Sequence, residues 1–160
     1  MKKFAKLFMA LSLVAASALF TSCLSTFFEA VETVSTGPIN KVTFCDPYTA
    51  VKGSKSFNFK LDEVDSNGNV VKSNVIFPSL VTFSQTYHQR EFKVTDIVTA
   101  GKTYKVVITA PNDPTPISFI SNADTFTAVG GSDYFVEYQG KGNLADGTQV
   151  HSFKIVKRSN

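Results

Sequence analysis

Few residues of this 160-residue chain have the type and spacing needed for metal binding or catalysis. The histidines, His88 and His151, lie far apart in the sequence, and neither has a second ligand at metal-binding spacing. We predict that each is a surface residue on a strand, and that the protein holds no metal and no cofactor. The run from Asp65 to Asn69 offers oxygen donors, but Gly68 is misplaced for a calcium loop and no glutamate closes it. A hairpin turn is therefore the preferred interpretation of this run.

Catalytic motifs are also missing from the sequence. It contains no Gly-x-Ser-x-Gly, no His-Glu-x-x-His and no glycine-rich phosphate loop between a strand and a helix. The adjacent acids Asp62 and Glu63 would point to opposite faces of a strand, so they cannot act as a carboxylate pair. No nucleophile and base can be nominated, and we predict that the protein is not an enzyme.

The N-terminal residues form an export signal that ends at a cysteine. Three lysines in Met1–Lys6 precede the apolar run Leu7–Phe20, which is too short to span a bilayer. The stretch Leu19-Phe20-Thr21-Ser22-Cys23 resembles the lipobox of bacterial lipoproteins. That resemblance implies a signal peptide over residues 1–22, lipidation of Cys23 and a membrane-anchored mature protein. Because Leu24 rather than aspartate follows the cysteine, the resemblance also implies the outer membrane of a Gram-negative cell envelope.

A second interpretation of the export signal is cleavage after Ala16-Ser17-Ala18, which would leave both cysteines in a secreted protein. Cys23 and Cys45 would then be able to form a disulfide in an oxidising compartment. If Cys23 is lipidated instead, we expect Cys45 to be an unpaired, buried thiol on a strand.

The charge of the chain also belongs to the export signal. The full sequence carries 16 basic and 13 acidic side chains, for a net charge of +3. Removal of Lys2, Lys3 and Lys6 leaves 16 − 3 = 13 basic groups against 13 acidic groups. A nucleic-acid binder needs a basic surface that survives processing, so we expect no nucleic-acid partner.

Tyrosines are the remaining candidates for a binding site. Tyr134, Val136 and Tyr138 share one face of a predicted strand, whereas Tyr48 and Tyr87 lie near predicted strand ends. Exposed aromatic side chains can stack on sugars or anchor a protein partner. The alternative is that these residues belong to an aromatic core. Tyr134, Tyr138 and Tyr87 are thus candidate ligand-binding residues, and both interpretations stay open at this point.

The elements that would position these residues are strands. Residues 23–38 form a tether, in which Thr26–Glu29 fits a helix-capping box, and residues 39–160 form one domain. Period-two alternation and turn residues predict strands at 42–45, 56–64, 70–77, 80–88, 91–94, 104–110, 117–120, 126–129, 134–139 and 149–157, with a type I′ Asn-Gly turn joining the second and third. This pattern predicts an all-β, antiparallel β-sandwich.

One segment of the predicted sandwich is more specific. Residues 97–110, with Ile97, Gly101 and Tyr104, resemble the E-to-F corner of fibronectin type III and immunoglobulin-like domains. The resemblance implies a tyrosine corner, in which the ring lies in the core and the hydroxyl bonds to backbone a few residues upstream. An immunoglobulin-like sandwich with an added hairpin, or a jelly roll, is the fold that we expect.

These observations together predict a lipid-anchored envelope lipoprotein with a non-catalytic β-sandwich. The sandwich would act as an interaction or structural module, with the membrane, and an envelope protein or a glycan, as its partners. The alternative is a small-ligand or glycan-binding module that uses exposed tyrosines.

Overall fold

A computed structural model describes residues 37–39 and 41–159 of the chain. These residues belong to one compact unit, Val34–Asn160. The predicted signal peptide over residues 1–22, Cys23, and the tether as far as residue 36 lie outside the described residues. Gly37 and Pro38 are the first described residues, and the Pro38 carbonyl accepts a hydrogen bond of 3.2 Å from the Gly131 amide.

The described chain forms nine strands and one short 3-10 turn at Ile120–Asn122. The strands are β1 (Lys41–Cys45), β2 (Lys55–Val64), β3 (Val70–Phe83), β4 (Gln89–Lys93), β5 (Thr103–Thr109), β6 (Ile117–Phe119), β7 (Thr125–Thr127), β8 (Ser132–Asn143) and β9 (Gln149–Ser159). They assemble into a five-stranded sheet with the order β4-β1-β8-β9-β6 and a four-stranded sheet with the order β3-β2-β5-β7. The predicted all-β sandwich is therefore confirmed.

Period-two alternation places the apolar side chains of both sheets between the layers. Phe44 of β1 lies at the centre of this core. Its ring centroid is 5.0–6.1 Å from those of Phe57, Phe59, Phe83 and Phe153, which come from both sheets. All five rings are fully buried. Phenylalanine rings thus form the centre of this core, and the sequence contains no tryptophan.

Two pairings in the five-stranded sheet are parallel, which the antiparallel prediction missed. β1 runs antiparallel to β4 but parallel to β8, and β6 runs parallel to β9. Parallel neighbours cannot be joined by a tight turn, so no local turn signal in the sequence announces them.

Two predicted interruptions lie inside continuous strands. Pro78, expected to end a strand, lies within β3, an edge strand with a register shift beside the proline. An edge strand tolerates proline because one side of its backbone needs no partner. Gly140 and Gly142, expected in a loop, extend β8. Gly140 has a φ of +94° at a shift in the β8–β9 register, and its absent Cβ would lie 3.4 Å from Ala50.

The hairpin between β2 and β3 forms as predicted, but its turn type differs. Only Gly68 has a positive φ, of +83°, whereas a type I′ turn needs positive φ at two central residues. The Gly68 amide donates to the Asp65 carbonyl at 3.0 Å, and the Asp65 carboxylate accepts from the Asn67 and Asn69 amides at 2.9 Å. The aspartate side chain therefore stabilises a longer turn. The β8–β9 hairpin repeats the backbone bonds of this turn around Gly147, but there Asp146, directly before the glycine, accepts from the Thr148 amide.

Candidate functional site

A histidine, a tyrosine and an aspartate form a hydrogen-bonded chain at one end of the sandwich. His151 of β9 is fully buried, and its Nδ1 lies 2.9 Å from the hydroxyl of Tyr138 on β8. Its Nε2 lies 3.0 Å from Oδ2 of Asp113, in the loop between β5 and β6. The ring of Phe57 meets the imidazole edge-on, with centroids 5.2 Å apart. Both ring nitrogens therefore have protein partners.

The partners of His151 determine where its proton lies. A carboxylate only accepts hydrogen bonds, so Nε2 carries the hydrogen that is donated to Asp113. In the neutral ring Nδ1 is then an acceptor, and it receives the hydroxyl hydrogen of Tyr138. Burial lowers the pKa of His151 below its ordinary value of 6.5, against the opposing influence of the Asp113 carboxylate. Burial also raises the pKa of Tyr138 to about 12, so its hydroxyl keeps its hydrogen.

Two lysines complete the cluster around Asp113. Lys55 Nζ donates to Asp113 Oδ2, and Lys141 Nζ lies 3.4 Å from the same oxygen. The Thr115 amide donates to Oδ1 at 3.0 Å. The hydrogen bond from Lys55 is the main reason that the pKa of Asp113 lies well below its usual range. We call Tyr138, His151, Asp113, Lys55 and Lys141 the histidine cluster.

The histidine cluster connects a surface loop to the core. The His151 amide donates to the Pro116 carbonyl at 2.8 Å, so both the backbone and the side chain of His151 hold the loop 111–116. Tyr138 and His151 are no more than 2% exposed, and the Asp113 side chain is 17% exposed. The imidazole is fully buried, and its two nitrogens are hydrogen-bonded to Tyr138 and Asp113. Positioning the loop is the role that this geometry supports.

The prediction that His151 is a surface residue is wrong. Its burial follows from strand alternation, because His151 shares its face of β9 with the fully buried Phe153. That alternation was visible in the sequence and would have placed the histidine in the core. Its partner Asp113 lies 38 residues away, so the sequence had no local signal for their contact. His88 is partly exposed in the loop before β4.

The predicted corner tyrosine, Tyr104, lies at the start of β5. Tyr104 is fully buried, and its hydroxyl accepts a 2.8 Å hydrogen bond from the Thr99 amide, five residues upstream. Gly101, with φ of +83°, turns the chain between them and donates its amide to the Ala128 carbonyl at 2.7 Å. Ile97, the aliphatic residue of the predicted pattern, is 43% exposed, whereas Val98 is 3% exposed. The turn that begins at Val94 thus directs Val98, and not Ile97, into the core.

A second tyrosine makes the same connection at the start of β8. The hydroxyl of Tyr134 accepts from the Val129 amide, five residues upstream, and donates to the Thr127 carbonyl, both at 2.9 Å. Gly131, with φ of +69°, lies three residues before the tyrosine, as Gly101 does before Tyr104. The sequence analysis missed this second corner, although the shared Gly-x-x-Tyr spacing was the signal for it.

The candidate ligand-binding tyrosines are divided by the structure. Tyr134 and Tyr138 are each 2% exposed, which corrects the alternative that they form an exposed binding face. Their hydroxyls bond to the backbone and to His151, as described above. Tyr87 and Tyr48 are 47% and 64% exposed. Their two loops are joined by a 2.7 Å hydrogen bond from the Asp46 amide to the His88 carbonyl.

Cys45 is a free and buried thiol on β1. Burial is the main cause that raises its pKa to about 12, with a smaller contribution from the nearby Glu137 carboxylate. The thiol therefore stays protonated and unreactive at neutral pH. Lipidation at Cys23 concerns a residue outside the described range.

Within residues 37–39 and 41–159, no three histidine, cysteine or acidic side chains are grouped so that they could hold a metal ion. The same residues contain no helix that is long and apolar enough to cross a membrane. No protein-family model, curated protein or solved structure matches this chain significantly.

Proposed function

We propose that this protein is a lipid-anchored lipoprotein of a Gram-negative cell envelope, located at the outer membrane. Its β-sandwich acts as a non-catalytic interaction or structural module. The observation that carries the proposal is the cysteine directly after two small residues at the end of an apolar export signal. An anchor of two or three acyl chains would hold the domain almost permanently, because each buried methylene contributes about 0.8 kcal/mol.

The sandwich supports the non-catalytic part of this proposal. Its one histidine within a hydrogen-bonded acid–base chain, His151, is fully buried, and both of its ring nitrogens are occupied by Tyr138 and Asp113. The polar groups of the cluster therefore stabilise the position of the loop 111–116. The conclusion that this end of the domain is structural rests on that geometry.

Mass spectrometry of the intact mature protein tests the anchor. We expect a polypeptide that begins at Cys23 and carries the added mass of acyl chains, and we expect Cys23→Ser to abolish both. Cys45→Ser is the matched control, because it removes the other cysteine and should leave the lipid mass unchanged. A mature chain that begins at Leu19 without lipid mass would refute the proposal.

The position after the cysteine allows a test of location. We expect Leu24→Asp to move the lipidated protein to the inner membrane, whereas Leu24→Asn leaves it in the outer membrane. Fractionation of the two membranes by density gradient measures the difference. Recovery of the natural lipidated protein in the inner-membrane fraction would contradict the outer-membrane assignment.

A second candidate function, glycan binding, is supported by one observation. Tyr48 and Tyr87 are both exposed, on loops that the Asp46–His88 hydrogen bond joins. Exposed tyrosine rings can stack on sugars. If this is the function, the purified protein will sediment with purified peptidoglycan, and Tyr48→Ala with Tyr87→Ala will release it. Ile120→Ala, which also removes an exposed apolar side chain, is the control.

A further inference from the structure

One side of the sandwich is formed by two edge strands that face each other across a groove. β3 is the edge of the four-stranded sheet, and β4 is the edge of the five-stranded sheet. A groove of about 370 Å³ lies between them, lined by β3 residues that include Phe77, by Arg90, Glu91, Phe92 and Lys93 of β4, and by Ile97. We call this the edge groove. The opposite edges, β6 and β7, are only three residues long.

The edge groove exposes large apolar side chains. Phe77 is 74% exposed, the largest fraction among the exposed large hydrophobic side chains in the described part of the chain, and Ile97 is 43% exposed. Proteins usually protect long edge strands with charges or irregularities and do not place an exposed phenylalanine there. Clustered exposed apolar residues beside polar ones mark interaction sites.

The two edges differ in their capacity to accept another strand. β3 is irregular, with three register shifts against β2, a proline at position 78 and a positive φ at Asn74. Such irregularities prevent regular pairing with an added strand. β4 pairs with β1 in unbroken register from Lys93 to Gln89 and contains no proline, and no strand of residues 41–159 pairs with its other side. β4 is therefore the edge that can accept a further strand.

The charge of the edge groove indicates what kind of strand could be added to β4. Arg90 and Lys93 form no ion pair within residues 41–159, whereas Glu91 is paired with Lys41 at 3.1 Å. The guanidinium of Arg90 lies 5.6 Å from the centre of the Phe92 ring, which keeps it beside the apolar surface. Two unpaired cations beside Phe77 and Ile97 complement a segment that carries both acidic and apolar side chains.

We propose that the edge groove binds an extended, acidic segment of a partner protein, which adds as a strand to β4. Hydrogen bonds to the β4 backbone supply register, and an apolar side chain of the segment packs on Phe77 and Ile97. Acidic side chains of the segment pair with Arg90 and Lys93. The inference rests on the proposed role of the domain as an interaction module, and it names the surface and the chemistry of the partner.

Selection from a library of random peptides displayed on phage, against the full-length protein in detergent, tests this inference. We expect the selected peptides to be rich in aspartate and glutamate and to contain an aromatic or branched apolar residue. Phe77→Ser should weaken their binding about tenfold, as loss of a buried aromatic anchor does. Leu80→Ser is the matched control, because Leu80 is 54% exposed on the same strand but does not line the edge groove.

Two further measurements define the site. The double variant Arg90→Glu with Lys93→Glu should lose the acidic peptides and select basic ones. Hydrogen exchange of the amides of residues 89–93 should slow when a selected peptide is bound, as strand addition requires. Thermal melting of each variant verifies that it folds, which is expected because the substituted side chains lie at the surface.

Several outcomes would overturn the inference. They are a selection without binders, binders that Phe77→Ser does not affect, and binders without acidic residues. If no peptide binds, but the protein binds phosphatidylcholine–phosphatidylglycerol vesicles and Phe77→Ser loses that binding, the groove would be assigned to a membrane surface. Dissociation of a dimer by Phe77→Ser would assign it to a second copy of the chain. Lipid mass on Cys23 is measured independently, so failure of the edge groove is distinguishable from failure of the proposed anchor.

Discussion

The starts of β5 and β8 share nearly the same arrangement of a glycine and a buried tyrosine. In each, a glycine with positive φ precedes a buried tyrosine by three positions, and the tyrosine hydroxyl accepts from the amide five residues upstream. The two tyrosines lie in different sheets and differ in one bond. The Tyr134 hydroxyl also donates to the Thr127 carbonyl at 2.9 Å. Among the described residues, the Tyr104 hydroxyl makes only the bond to Thr99.

The comparison shows what a short motif specifies and what it leaves to context. The Gly-x-x-Tyr spacing specifies the turn and the backward hydrogen bond in both sheets. The surrounding fold decides how many bonds the hydroxyl makes. Phe126 of β7 joins the two corners, with its ring centroid 5.8 Å from that of Tyr104 and 4.1 Å from that of Tyr134. The two corners therefore form one aromatic stack across the sandwich.

Removal of the shared ring breaks both corners at once and has the largest expected effect. We expect Phe126→Ala to lower the free energy of unfolding by about 4 kcal/mol, because it removes a buried ring and leaves a cavity between two tyrosines. Urea unfolding followed by circular dichroism measures the change. Phe77→Ala, at a position that is 74% exposed, should change stability little. A loss below about 1 kcal/mol for Phe126→Ala would show that the two corners are independent of this ring.

Removal of each hydroxyl separates the two corners. Tyr134→Phe should cost about 2 kcal/mol, because the Val129 amide and the Thr127 carbonyl both lose their partner, and Tyr104→Phe about 1 kcal/mol, because only the Thr99 amide does. Each change keeps the ring and removes one oxygen atom, so each variant is the control for the other. Equal losses in the same unfolding experiment would contradict the assigned difference in bonding.

A third buried tyrosine, Tyr138, sharpens the comparison because its hydroxyl bonds to an ionisable partner. The pKa of His151 is lowered in the folded protein, so the unfolded chain binds a proton first as pH falls below about 6.5. The contribution of His151 to the free energy of unfolding is therefore fully present above about pH 6.5 and is lost as the pH falls below that value. Asp113 and the other carboxylates with a lowered pKa change the free energy of unfolding only near and below pH 3.8.

The expected effect of this titration on the free energy of unfolding is smaller than those of Phe126→Ala and Tyr134→Phe. Between about pH 7.5 and about pH 5.5, His151 should remove up to ~1.4 kcal/mol from the free energy of unfolding. His151→Gln should show less pH dependence over this interval than the natural protein does. Urea unfolding at both pH values measures this. An unchanged pH dependence in His151→Gln would show that another group titrates.

Much of the fold follows from local features of the sequence. Alternation predicted the strands around Phe44 and Phe57, and the glycine turn predicted the β2–β3 hairpin. The resemblance of residues 97–110 to the E-to-F corner of immunoglobulin-like domains implied that the Tyr104 hydroxyl bonds upstream. Each of these features depends on residues that are close in the chain, which is why local pattern is sufficient for them.

Three of the features that were missed depend on long-range pairing. His151 meets Asp113 only because β9 lies beside β6 and the loop before it. Pro78 lies within a strand only because that strand is at an edge. The edge groove likewise arises from strands of two different sheets, and no contiguous segment of the sequence encodes it.

The position of β1 has a consequence for how the domain reaches its native state. β1, the first strand of the body, lies between β4 and β8, so its parallel partner at Tyr134 is roughly ninety residues further along the chain. A chain that emerges N-terminus first exposes Val42 and Phe44 long before β8 exists to cover them. Pairing at such a sequence separation slows folding, because the chain loses the entropy of closing a large loop before the stabilising contacts form. We therefore expect β1, the first strand of the sandwich in the sequence, to pair late in folding.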